Sequence, residues 1–435
     1  MQANLSTDEK IQKTLNGIID FKPGGTKELE KLLKDAAKEG KQLRVKLGID
    51  PTSTDLHLGH MVCMQKLKQF QELGHQAVLI IGGFTAQVGD PSGRNSARPP
   101  LTAEDVAKNA QTYLDQVSKV LDLNKVEIVN NADWFNKFSL NDMLKLAGKV
   151  TINQMLAKEA FGKRLDEGNP LFAHEIFYPL LQGFDSVEVK ADIELGGTDQ
   201  TFNLMVGRDL QKAYDQPQQH ILTMPLLIGL DGQKKMSKTS LNYIALNDSP
   251  EDMFGKTMSI SDEMILDYYT LCLSPSAELL KEVADKLSHR EEFNPRDIKV
   301  ELAMRIVETY YSKEEAARAK EHFENLFKKK LVPDDIPECN LSDLQDYDLD
   351  TGIPLVDLMV LKELAETKGE AKRLIQGGGV KLNGEKVSDV FLKLTLEYLK
   401  SISDSTENPD TTAAILQVGK KKFCKLVTHA TIKAK

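Results

Sequence analysis

The chain has 435 residues, of which 41% are hydrophobic and 28% charged, an ordinary globular composition that excludes a disordered or fibrous protein. This length favours about two to three domains. The formal net charge is −9, from 56 Lys and Arg against 65 Asp and Glu. That balance excludes a protein that is basic throughout, so we expect any nucleic-acid site to be local.

The four cysteines lie far apart and show no spacing that would close a tetrahedral metal site, so we predict reduced thiols and no metal ligands. The N-terminal sequence lacks the basic segment and apolar run of a signal peptide. No stretch approaches the roughly 18 consecutive apolar residues of a membrane helix. We therefore expect a cytoplasmic protein without membrane contact.

Short apolar runs rich in β-formers alternate with longer amphipathic stretches between residues 43 and about 230, a pattern typical of βαβ units and a mostly parallel sheet. In chain order it predicts strands in RVKLGID and AVLIIGGF, helices over 103–121 and 141–158 with a strand between them, and strands over 191–195 and 221–228. The predicted fold class is therefore α/β, with a Rossmann-type catalytic domain over 1–247. Ligands of such sheets bind at the carboxyl ends of the strands.

The composition changes after residue 247. Charged helical sequence over 248–335 predicts an all-helical domain, and the acidic, proline-containing segment 336–352 predicts a linker. Residues 353–435 carry 14 basic and 10 acidic residues, a local net charge of +4 against −13 for the rest of the chain. We therefore expect a polyanion-binding domain over 353–430, with a flexible insertion at about 391–412.

Two histidines follow the first strand of the predicted sheet. His57 and His60 in HLGH are three residues apart at the start of a helix, so they face the same way. Free backbone N–H groups and the helix dipole favour a phosphate there, and Gly59 leaves room for a ligand to approach the backbone. These residues alone leave open that one histidine is a solvated cap and the other packs on the sheet.

A pair of lysines follows the last predicted strand, about 175 residues after the histidines. Lys235 and Lys238 in KKMSKTS are separated by Met236 and Ser237 on a predicted loop, so both ammonium groups can converge on one triphosphate. Two such cations suit a transition state whose negative charge grows on a leaving pyrophosphate. Alone, the segment also fits a solvated basic turn.

A polar stripe marks a third stretch. Tyr178, Gln182 and Asp185 stand at i, i+4 and i+7 of an otherwise apolar predicted helix. Spacing alone leaves open that this stripe is an exposed helix face.

Together, HLGH and KMSKT resemble the paired signatures of class I aminoacyl-tRNA synthetases, and YPLLQGFD followed by GGTDQ resembles the tyrosine pocket of bacterial tyrosyl-tRNA synthetases. The resemblance spans about residues 5–428. It implies activation of L-tyrosine by ATP to tyrosyl-adenylate and diphosphate, then transfer of tyrosine to the 3′ end of tRNA(Tyr). It also implies Mg²⁺ as the counter-ion of ATP without a dedicated metal site, a homodimer with an interface at about 121–165, and an anticodon-region role for 248–335.

The resemblance also implies residue roles. His57 and His60 would act electrostatically on the phosphates, and Lys235 and Lys238 on the pyrophosphate. Further ATP contacts are implied for Gly48, Pro51, Thr52, Gly59, Arg94, Arg98, Gly197, Asp199, Met236, Ser237 and Thr239. The implied tyrosine-binding residues are Lys46, Asp50, Asp90, Tyr178, Gln182, Asp185 and Gln200.

Within that pocket, the resemblance implies that Asp185 accepts the substrate phenol, that Tyr178 and Gln182 hold the α-amino group, and that Asp90 binds the ammonium. Phenylalanine would leave the buried acceptor unpaired, which would explain its rejection without editing. We interpret Trp134 as a packing residue.

Lys46 departs from the family pattern, because many bacterial members carry a tyrosine here as a second contact to the substrate hydroxyl. Strand alternation places Lys46, Gly48 and Asp50 on one face. Our hypothesis is that Lys46 pairs with Asp185 or donates to the phenol. The alternative is that Lys46 points away and another residue substitutes.

The segment after residue 353 resembles an S4 RNA-binding module, with two short helices, a glycine-rich turn and a strand hairpin in PLVDLMVLKELAETKGEAKRLIQGGGVKLNGEKVSD. Its basic groups best placed for phosphate contacts are Lys372, Arg373, Lys381 and Lys386. The glycine run 377–379 is expected to form a turn rather than a nucleotide loop. Lysines 420–422 fit a solvated edge and an RNA contact equally well.

Two alternatives to a tyrosine-activating enzyme follow from the same motifs. A tryptophanyl-type or other class I nucleotidyl transferase is disfavoured by the polar stripe and by the S4-like segment. A synthetase-like RNA-binding protein that has lost activation would be expected to show decay of HLGH or KMSKT, and both motifs are intact.

Overall fold

The protein is described by a computed structural model that covers residues 5–92, 101–330, 337–344, 347–402, 411–419 and 422–429. The chain divides into two compact units, Met1–Phe323 and Glu324–Lys435. No helix in these ranges is long and apolar enough to cross a membrane.

The first unit is built on a six-stranded sheet. Its strands are β1 (Asp20–Lys22), β2 (Arg44–Ile49), β3 (Gln76–Ile81), β4 (Val126–Asn130), β5 (Ile193–Gly197) and β6 (His220–Met224). They lie in the order β1-β6-β5-β2-β3-β4. All neighbours pair in parallel except β1, which runs antiparallel to β6. This order confirms the predicted α/β class and its mostly parallel sheet.

Helices cover both faces of this sheet and continue beyond it. They are α1 (Thr7–Leu15), α2 (Gly25–Glu39), α3 (Leu58–Glu72), α4 (Thr85–Val88), α5 (Ala103–Val117), α6 (Ala132–Phe135), α7 (Leu140–Ala147), α8 (Ile152–Leu156), α9 (Glu159–Asp166), α10 (Ala173–Val189), α11 (Thr201–Ala213), α12 (Pro250–Met258), α13 (Ile265–Leu273), α14 (Ala277–Ser288), α15 (Pro295–Tyr310) and α16 (Lys313–Lys330). Short 3₁₀ turns lie at Leu123–Lys125, Thr198–Gln200 and Asp262–Met264.

Strand β3 is a continuous, buried apolar run over residues 77–81, as expected where both faces of a parallel sheet are covered. Val78 and Leu79 on β3 are fully buried, as are Leu67 and Phe70 on α3. The same hydrophobic core extends to α12 and α13, so the helices that follow residue 247 pack with the sheet unit rather than apart from it.

The predicted helix over 141–158 is interrupted. Gly148 follows the last residue of α7 as its C-cap, and Thr151 caps α8 by accepting the backbone N–H of Gln154. A glycine at the end of one helix and a threonine cap at the start of the next are local signals that override the apolar periodicity.

Within the described ranges, the second unit contains the end of α16, a five-stranded mixed sheet, a two-stranded sheet and three further helices. Its elements are β7 (Glu338–Asn340), β8 (Ile353–Pro354), α17 (Leu355–Leu361), α18 (Lys368–Gln376), β9 (Val380–Leu382), β10 (Glu385–Lys386), β11 (Lys393–Leu394), α19 (Leu396–Ile402), β12 (Thr411–Val418) and β13 (Lys422–His429). The main sheet has the order β10-β9-β12-β13-β7, and β11 pairs with β8.

Two sequence expectations differ from this structure. The segment expected to be a linker contributes β7, which pairs in parallel with β13 and buries Cys339. The segment expected to be a flexible insertion contains β11 and α19 over 393–402, whereas 403–410 lies outside the described residues. In both places, buried apolar residues within a polar stretch anchor the chain to the core.

Candidate active site

The predicted site residues of the first unit gather at the carboxyl edge of the parallel sheet. Asp50 follows β2, and the chain then turns through Pro51 to His57 at the start of α3. Gly197 ends β5, and the 3₁₀ turn Thr198–Gln200 leads directly into α11. Because parallel strands present their carboxyl ends on one side, residues from distant segments meet there.

The HLGH and KMSKT segments are in contact. The Leu58 N–H donates to the Ile244 carbonyl at 3.1 Å. A Cβ at Gly59 would lie 3.0 Å from the His57 ring and 3.5 Å from Cβ of Met236. A side chain at Gly59 would therefore crowd the histidine ring, and the short distance to Met236 brings both predicted phosphate-binding motifs into one site.

The two histidine rings pack against each other at the N-terminus of α3, tilted by 38°. Their ring centroids are 3.8 Å apart, and the His57 N–H donates to Nδ1 of His60 at 3.2 Å. Burial, together with the charges of His60, Lys238 and Lys235, holds the pKa of His57 far below its usual range, so the ring is neutral. His57 Nδ1 is buried and has no hydrogen-bond partner within the described part of the chain.

The two lysines of KMSKT both point at the site. Lys235 Nζ lies 2.6 Å from Oδ2 of Asp199, and Lys238 Nζ donates to the Ser53 hydroxyl. Burial lowers the pKa of Lys238 from its usual value. Asn242 fixes the loop, because its Oδ1 accepts the Ser237 N–H at 2.8 Å.

Asp50 is held by two hydroxyl groups from separate elements. The Tyr178 hydroxyl donates to Oδ2 at 2.9 Å, and the Thr85 hydroxyl donates to Oδ1 at 2.7 Å. A Cβ at Gly82 would lie 1.9 Å from Oδ1 of Asp50, so only glycine fits where β3 ends. Tyr178 on α10 is thereby fixed against the end of β2.

Asp185 is a buried carboxylate with two N–H donors. The Trp134 indole donates to Oδ1 at 3.1 Å and the Asn131 amide to Oδ2 at 3.3 Å. Burial raises the pKa of Asp185 to about 7, against the opposing effects of the Lys46 charge and these two donors. The interpretation of Trp134 as a packing residue alone is corrected, because its indole N–H binds the predicted phenol acceptor.

A second cluster of hydrogen-bonded polar residues surrounds Asp90. Gln200 Nε2 donates to its Oδ2 at 2.9 Å, and the Ser92 N–H donates to Oδ1 at 2.9 Å. Burial alone would raise the pKa of Asp90, but the Lys158 charge and these hydrogen bonds hold it below its usual value. Asp90 is therefore an anion suited to a ligand ammonium group.

Gln182 is oriented at both ends of its amide. Its Nε2 faces Oε1 of Glu194 at 3.4 Å, and its Oε1 accepts from Asn203 Nδ2 at 2.9 Å. Asn203 Nδ2 also donates to Gln200 Oε1 at 3.0 Å. Gln182 and Gln200, predicted from separate motifs, are thus joined through one buried asparagine.

Lys46 pairs with a residue that the sequence hypothesis did not name. Its Nζ lies 2.9 Å from Oε1 of Glu194 and donates to the Ser186 hydroxyl and the Gln182 carbonyl. The proposed ion pair with Asp185 is therefore corrected to one with Glu194. Lys46 is fully buried.

The other predicted ATP contacts lie around this edge. A Cβ at Gly48 would meet open space, whereas one at Gly197 would lie 2.8 Å from Asp199. The Thr52 N–H donates to the Asp50 carbonyl, and Thr239 lies in the loop that Asn242 fixes. Arg94 and Arg98 lie outside the described residues.

The predicted RNA-binding residues lie in the second unit. Lys372 and Arg373 are on α18, while Lys381 on β9 is the direct cross-strand partner of Lys386 on β10. The glycine run between α18 and β9 forms a turn, as the sequence predicts.

Sequence reasoning missed several site residues that no short motif marks. They are Ser53, Thr85, Asn131, Trp134, Lys158, Glu194 and Asn203. All but Lys158 contact a predicted residue from a different element, and Lys158 donates to Ser92 and Asn203 instead, so these roles depend on tertiary structure. Trp134 is the single tryptophan of the chain, and this rarity was the one feature of the sequence that could have drawn attention to it as a site residue.

Comparison with known proteins agrees with this geometry. The family model described as tRNA synthetases class I (W and Y) matches residues 38–328, and the S4 domain model matches residues 353–396. A tyrosine–tRNA ligase of Nitrosomonas europaea is 47% identical over 388 residues, covering 89% of this chain and 90% of the relative. One of Bdellovibrio bacteriovorus is 44% identical, covering 97% and 99%.

The chain belongs to the tyrosyl-tRNA synthetases of class I. Solved structures support the same fold for this synthetase. The tyrosyl-tRNA synthetase of Archaeoglobus fulgidus, complexed with L-tyrosine, has a TM-score of 0.57 at 24% identity and covers 72% of this chain and 100% of its own. That of Coccidioides posadasii mitochondria has a TM-score of 0.58 at 21% identity, covering 73% and 92%.

Proposed function

We propose that this synthetase activates L-tyrosine with ATP to tyrosyl-adenylate and diphosphate, and then transfers tyrosine to the 3′ end of tRNA(Tyr). The observation that carries the proposal is the buried Asp185 carboxylate, which lies at the same sheet edge as HLGH and KMSKT and is oriented by Trp134 and Asn131. A phenol hydroxyl is the substrate group that such an acceptor selects.

The tyrosine-binding residues divide between the two ends of the substrate. Asp185 would accept the phenol, and Asp90, Gln182 and Tyr178 would hold the α-ammonium group. Phenylalanine would leave the Asp185 acceptor unpaired in a buried site, which costs more than the loss of one hydrogen bond. The pocket is therefore expected to reject phenylalanine by about 10⁴- to 10⁵-fold without editing.

The phosphate-binding residues would act as fixed electrostatic groups rather than as acids or bases. His57 is held neutral by its surroundings and would donate a hydrogen bond to a phosphate oxygen. On ATP binding, Lys235 would leave Asp199 and Lys238 would leave the Ser53 hydroxyl. Both ammonium groups would then bind oxygens of the leaving pyrophosphate. Charge stabilisation at this point lowers the barrier to carboxylate attack on the α-phosphate.

Magnesium is proposed to arrive as the counter-ion of ATP. Among the residues covered by the structure, no group of three or more His, Cys, Asp or Glu side chains is arranged to hold a metal. Mg²⁺ commonly keeps several waters and binds through substrate phosphates, so a synthetase of this kind needs no metal cage of its own.

The synthetase is further proposed to act as a cytoplasmic homodimer. Exposed large apolar residues concentrate near the predicted interface at 121–165: Ile128, Leu140, Leu144, Ile152, Leu165 and Phe172. Leu140 is 76% and Leu144 63% exposed, one turn apart on α7. Clustered exposed apolar side chains are typical of protein interfaces.

The remaining segments are proposed to bind tRNA. The helices within 248–335 would approach the anticodon region, and the S4 segment within 353–430 would contact phosphates through Lys372, Arg373, Lys381 and Lys386. Lys381 and Lys386 face each other across β9 and β10, and like charges placed opposite are destabilising unless an anion lies near them.

The test is exchange of labelled pyrophosphate into ATP in the absence of tRNA, with tyrosine, phenylalanine and tryptophan compared in parallel. Exchange driven by tyrosine alone supports the proposal. Exchange driven by tryptophan would contradict the pocket assignment, and absence of exchange with all three would contradict activation itself. Aminoacylation of tRNA(Tyr) then tests the transfer step separately.

A further inference from the structure

The aromatic ring of Phe391 is exposed to solvent on the surface of the second unit. Phe391 is 79% exposed, although its neighbours Val390 and Leu392 pack against the hydrophobic core. The Phe391 N–H donates to Oδ1 of Asp389 at 2.8 Å, and the Leu392 carbonyl accepts the Leu355 N–H at 2.9 Å. The backbone is therefore fixed on both sides while the ring faces outward.

A cation lies over this ring. Lys372 Nζ is 5.9 Å from the centroid of Phe391, which is within the range of a cation–π contact. Lys372 is carried by α18, which is anchored by the buried residues Ala371 and Ile375. Two separately anchored segments thus place an exposed ring and an ammonium group side by side.

Further basic residues lie on α18 and on the neighbouring strands β9 and β10. Arg373 follows Lys372, and the side chain of Lys386 lies over Gly378, 3.8 Å from where a Cβ would stand. Lys386 faces Lys381 across the β9–β10 pair. Within the described ranges, none of these four basic residues forms an ion pair, so their charges are available to a polyanion.

We propose that the Phe391 ring is a stacking platform for an unpaired base of the RNA bound by the second unit, with Lys372 beside it to meet the adjoining phosphate. The proposal rests on the proposed function, because it deepens the RNA contact made by this segment. Single-stranded RNA is recognised by aromatic stacking combined with cations that follow the backbone.

The position of the ring favours a nucleotide over an apolar protein surface. A protein interface of stable size is centred on a cluster of buried apolar side chains. Phe391 instead stands beside Lys372, with Arg373 next to it on α18. An exposed ring with a cation close to it complements a base and its adjoining phosphate.

Three substitutions at one position test the proposal. Phe391→Trp keeps an aromatic face, Phe391→Leu keeps apolar bulk without one, and Phe391→Ala removes both. The dissociation constant for tRNA(Tyr) should rise about five- to 150-fold for Ala, the range expected for the loss of one stacked base. The dissociation constant should stay near the wild-type value for Phe391→Trp and should be raised for Phe391→Leu as it is for Phe391→Ala.

The Phe391→Trp variant gives a direct readout. Stacking of a base on the introduced indole should quench its fluorescence when tRNA is added, after the signal of Trp134 in the wild-type protein has been subtracted. Unchanged fluorescence on a variant that binds tRNA would overturn the proposal. So would wild-type binding by Phe391→Ala, or full recovery by Phe391→Leu, which would indicate an apolar contact instead.

Salt dependence separates stacking from charge. Lys372→Ala should reduce the steepness of the plot of log binding constant against log salt concentration by about 0.7, as expected for the loss of one phosphate contact on a single strand. Phe391→Ala should leave that steepness unchanged. Tyrosine-dependent pyrophosphate exchange by the Phe391 variants should equal that of the wild-type protein. Failure of the wild-type protein to bind or aminoacylate tRNA would contradict the proposed function. If the wild-type protein does both and the Phe391 variants bind tRNA equally well, only the stacking proposal is contradicted.

Discussion

Lys46 Nζ and Glu194 Oε1 lie 2.9 Å apart, and both side chains are at most 1% exposed. The two residues are direct cross-strand partners on β2 and β5. Glu194 also accepts from the Ser186 hydroxyl at 2.9 Å and from Gln219 Nε2 at 2.5 Å. This buried pair faces the amide of Gln182, one of the proposed tyrosine-binding residues.

Lys46→Met should destabilise the fold strongly, because it leaves the Glu194 carboxylate buried without its counter-charge. Loss of one partner of a buried pair costs about 3–5 kcal/mol. The free energy of unfolding from urea titration is the measurement. The double variant Lys46→Met, Glu194→Gln should recover part of the loss, since the uncompensated charge is gone.

Lys34→Met is the matched control for that measurement. Lys34 lies 2.7 Å from Glu30 on α2, but the two side chains are 52% and 33% exposed. A surface pair of this kind contributes about 0–1 kcal/mol. If Lys46→Met costs no more than Lys34→Met, the importance of the buried pair is refuted.

The pH dependence of tyrosine use should report Asp185, whose pKa burial raises to about 7. The carboxyl is protonated below that pH and cannot accept the phenol proton as a carboxylate. The kcat/KM for tyrosine in pyrophosphate exchange should therefore fall by about tenfold per pH unit below 7 and level off above it. We call this fall below pH 7 the pH step, and Asp185→Asn should abolish it.

Lys66 is another buried group of the first unit with a pKa in the same range. Burial lowers the pKa of Lys66 to about 7, and this lysine donates to the carbonyls of Thr14 and Asn16, away from the pocket. Lys66→Met should leave the pH step in place. Loss of the step in Lys66→Met, with the step retained in Asp185→Asn, would reverse the assignment.

Lys238→Ala should lower kcat of pyrophosphate exchange by about 10²- to 10³-fold, the cost of removing one group that stabilises developing charge. The KM for tyrosine should change little, because Lys238 lies with Ser53 rather than with Asp185. Lys234→Ala is the control, since Lys234 is an exposed neighbour in the same loop. Equal effects of the two substitutions would indicate a general charge effect.

Leu144→Asp should shift the protein from dimer to monomer in analytical ultracentrifugation, because it places a charge in the exposed apolar face of α7. Leu361→Asp is the control, as Leu361 is 50% exposed but lies in the second unit. A wild-type protein that sediments as a monomer would contradict the proposed homodimer.

The sheet and the meeting of the motifs were predictable from the sequence. β2 and β3 are apolar along most of their length, and a parallel sheet presents the ends of such strands on one edge. His57 and Lys238 could therefore be placed in one site although 180 residues separate them.

The partner of Lys46 was not predictable in the same way. Parallel strands that are neighbours in the sheet are connected by long crossovers, so sequence order does not reveal which strands pair or in which register. β5 follows β2 by more than 140 residues, and only the fold places Glu194 beside Lys46. Sequence order likewise did not reveal the role of Trp134, because its indole reaches Asp185 from α6, the short helix that follows the edge strand β4.

Strand β7 has a practical consequence for dissecting the molecule. It pairs with β13 at the end of the second sheet, and Lys425 donates its N–H to the Pro337 carbonyl just before it. A fragment cut at residue 353, where the S4 match begins, would expose the open edge of β13. Such an unpaired edge recruits other strands. Fragments meant to isolate the RNA-binding unit should therefore begin before residue 337, or they will aggregate for a reason unrelated to RNA.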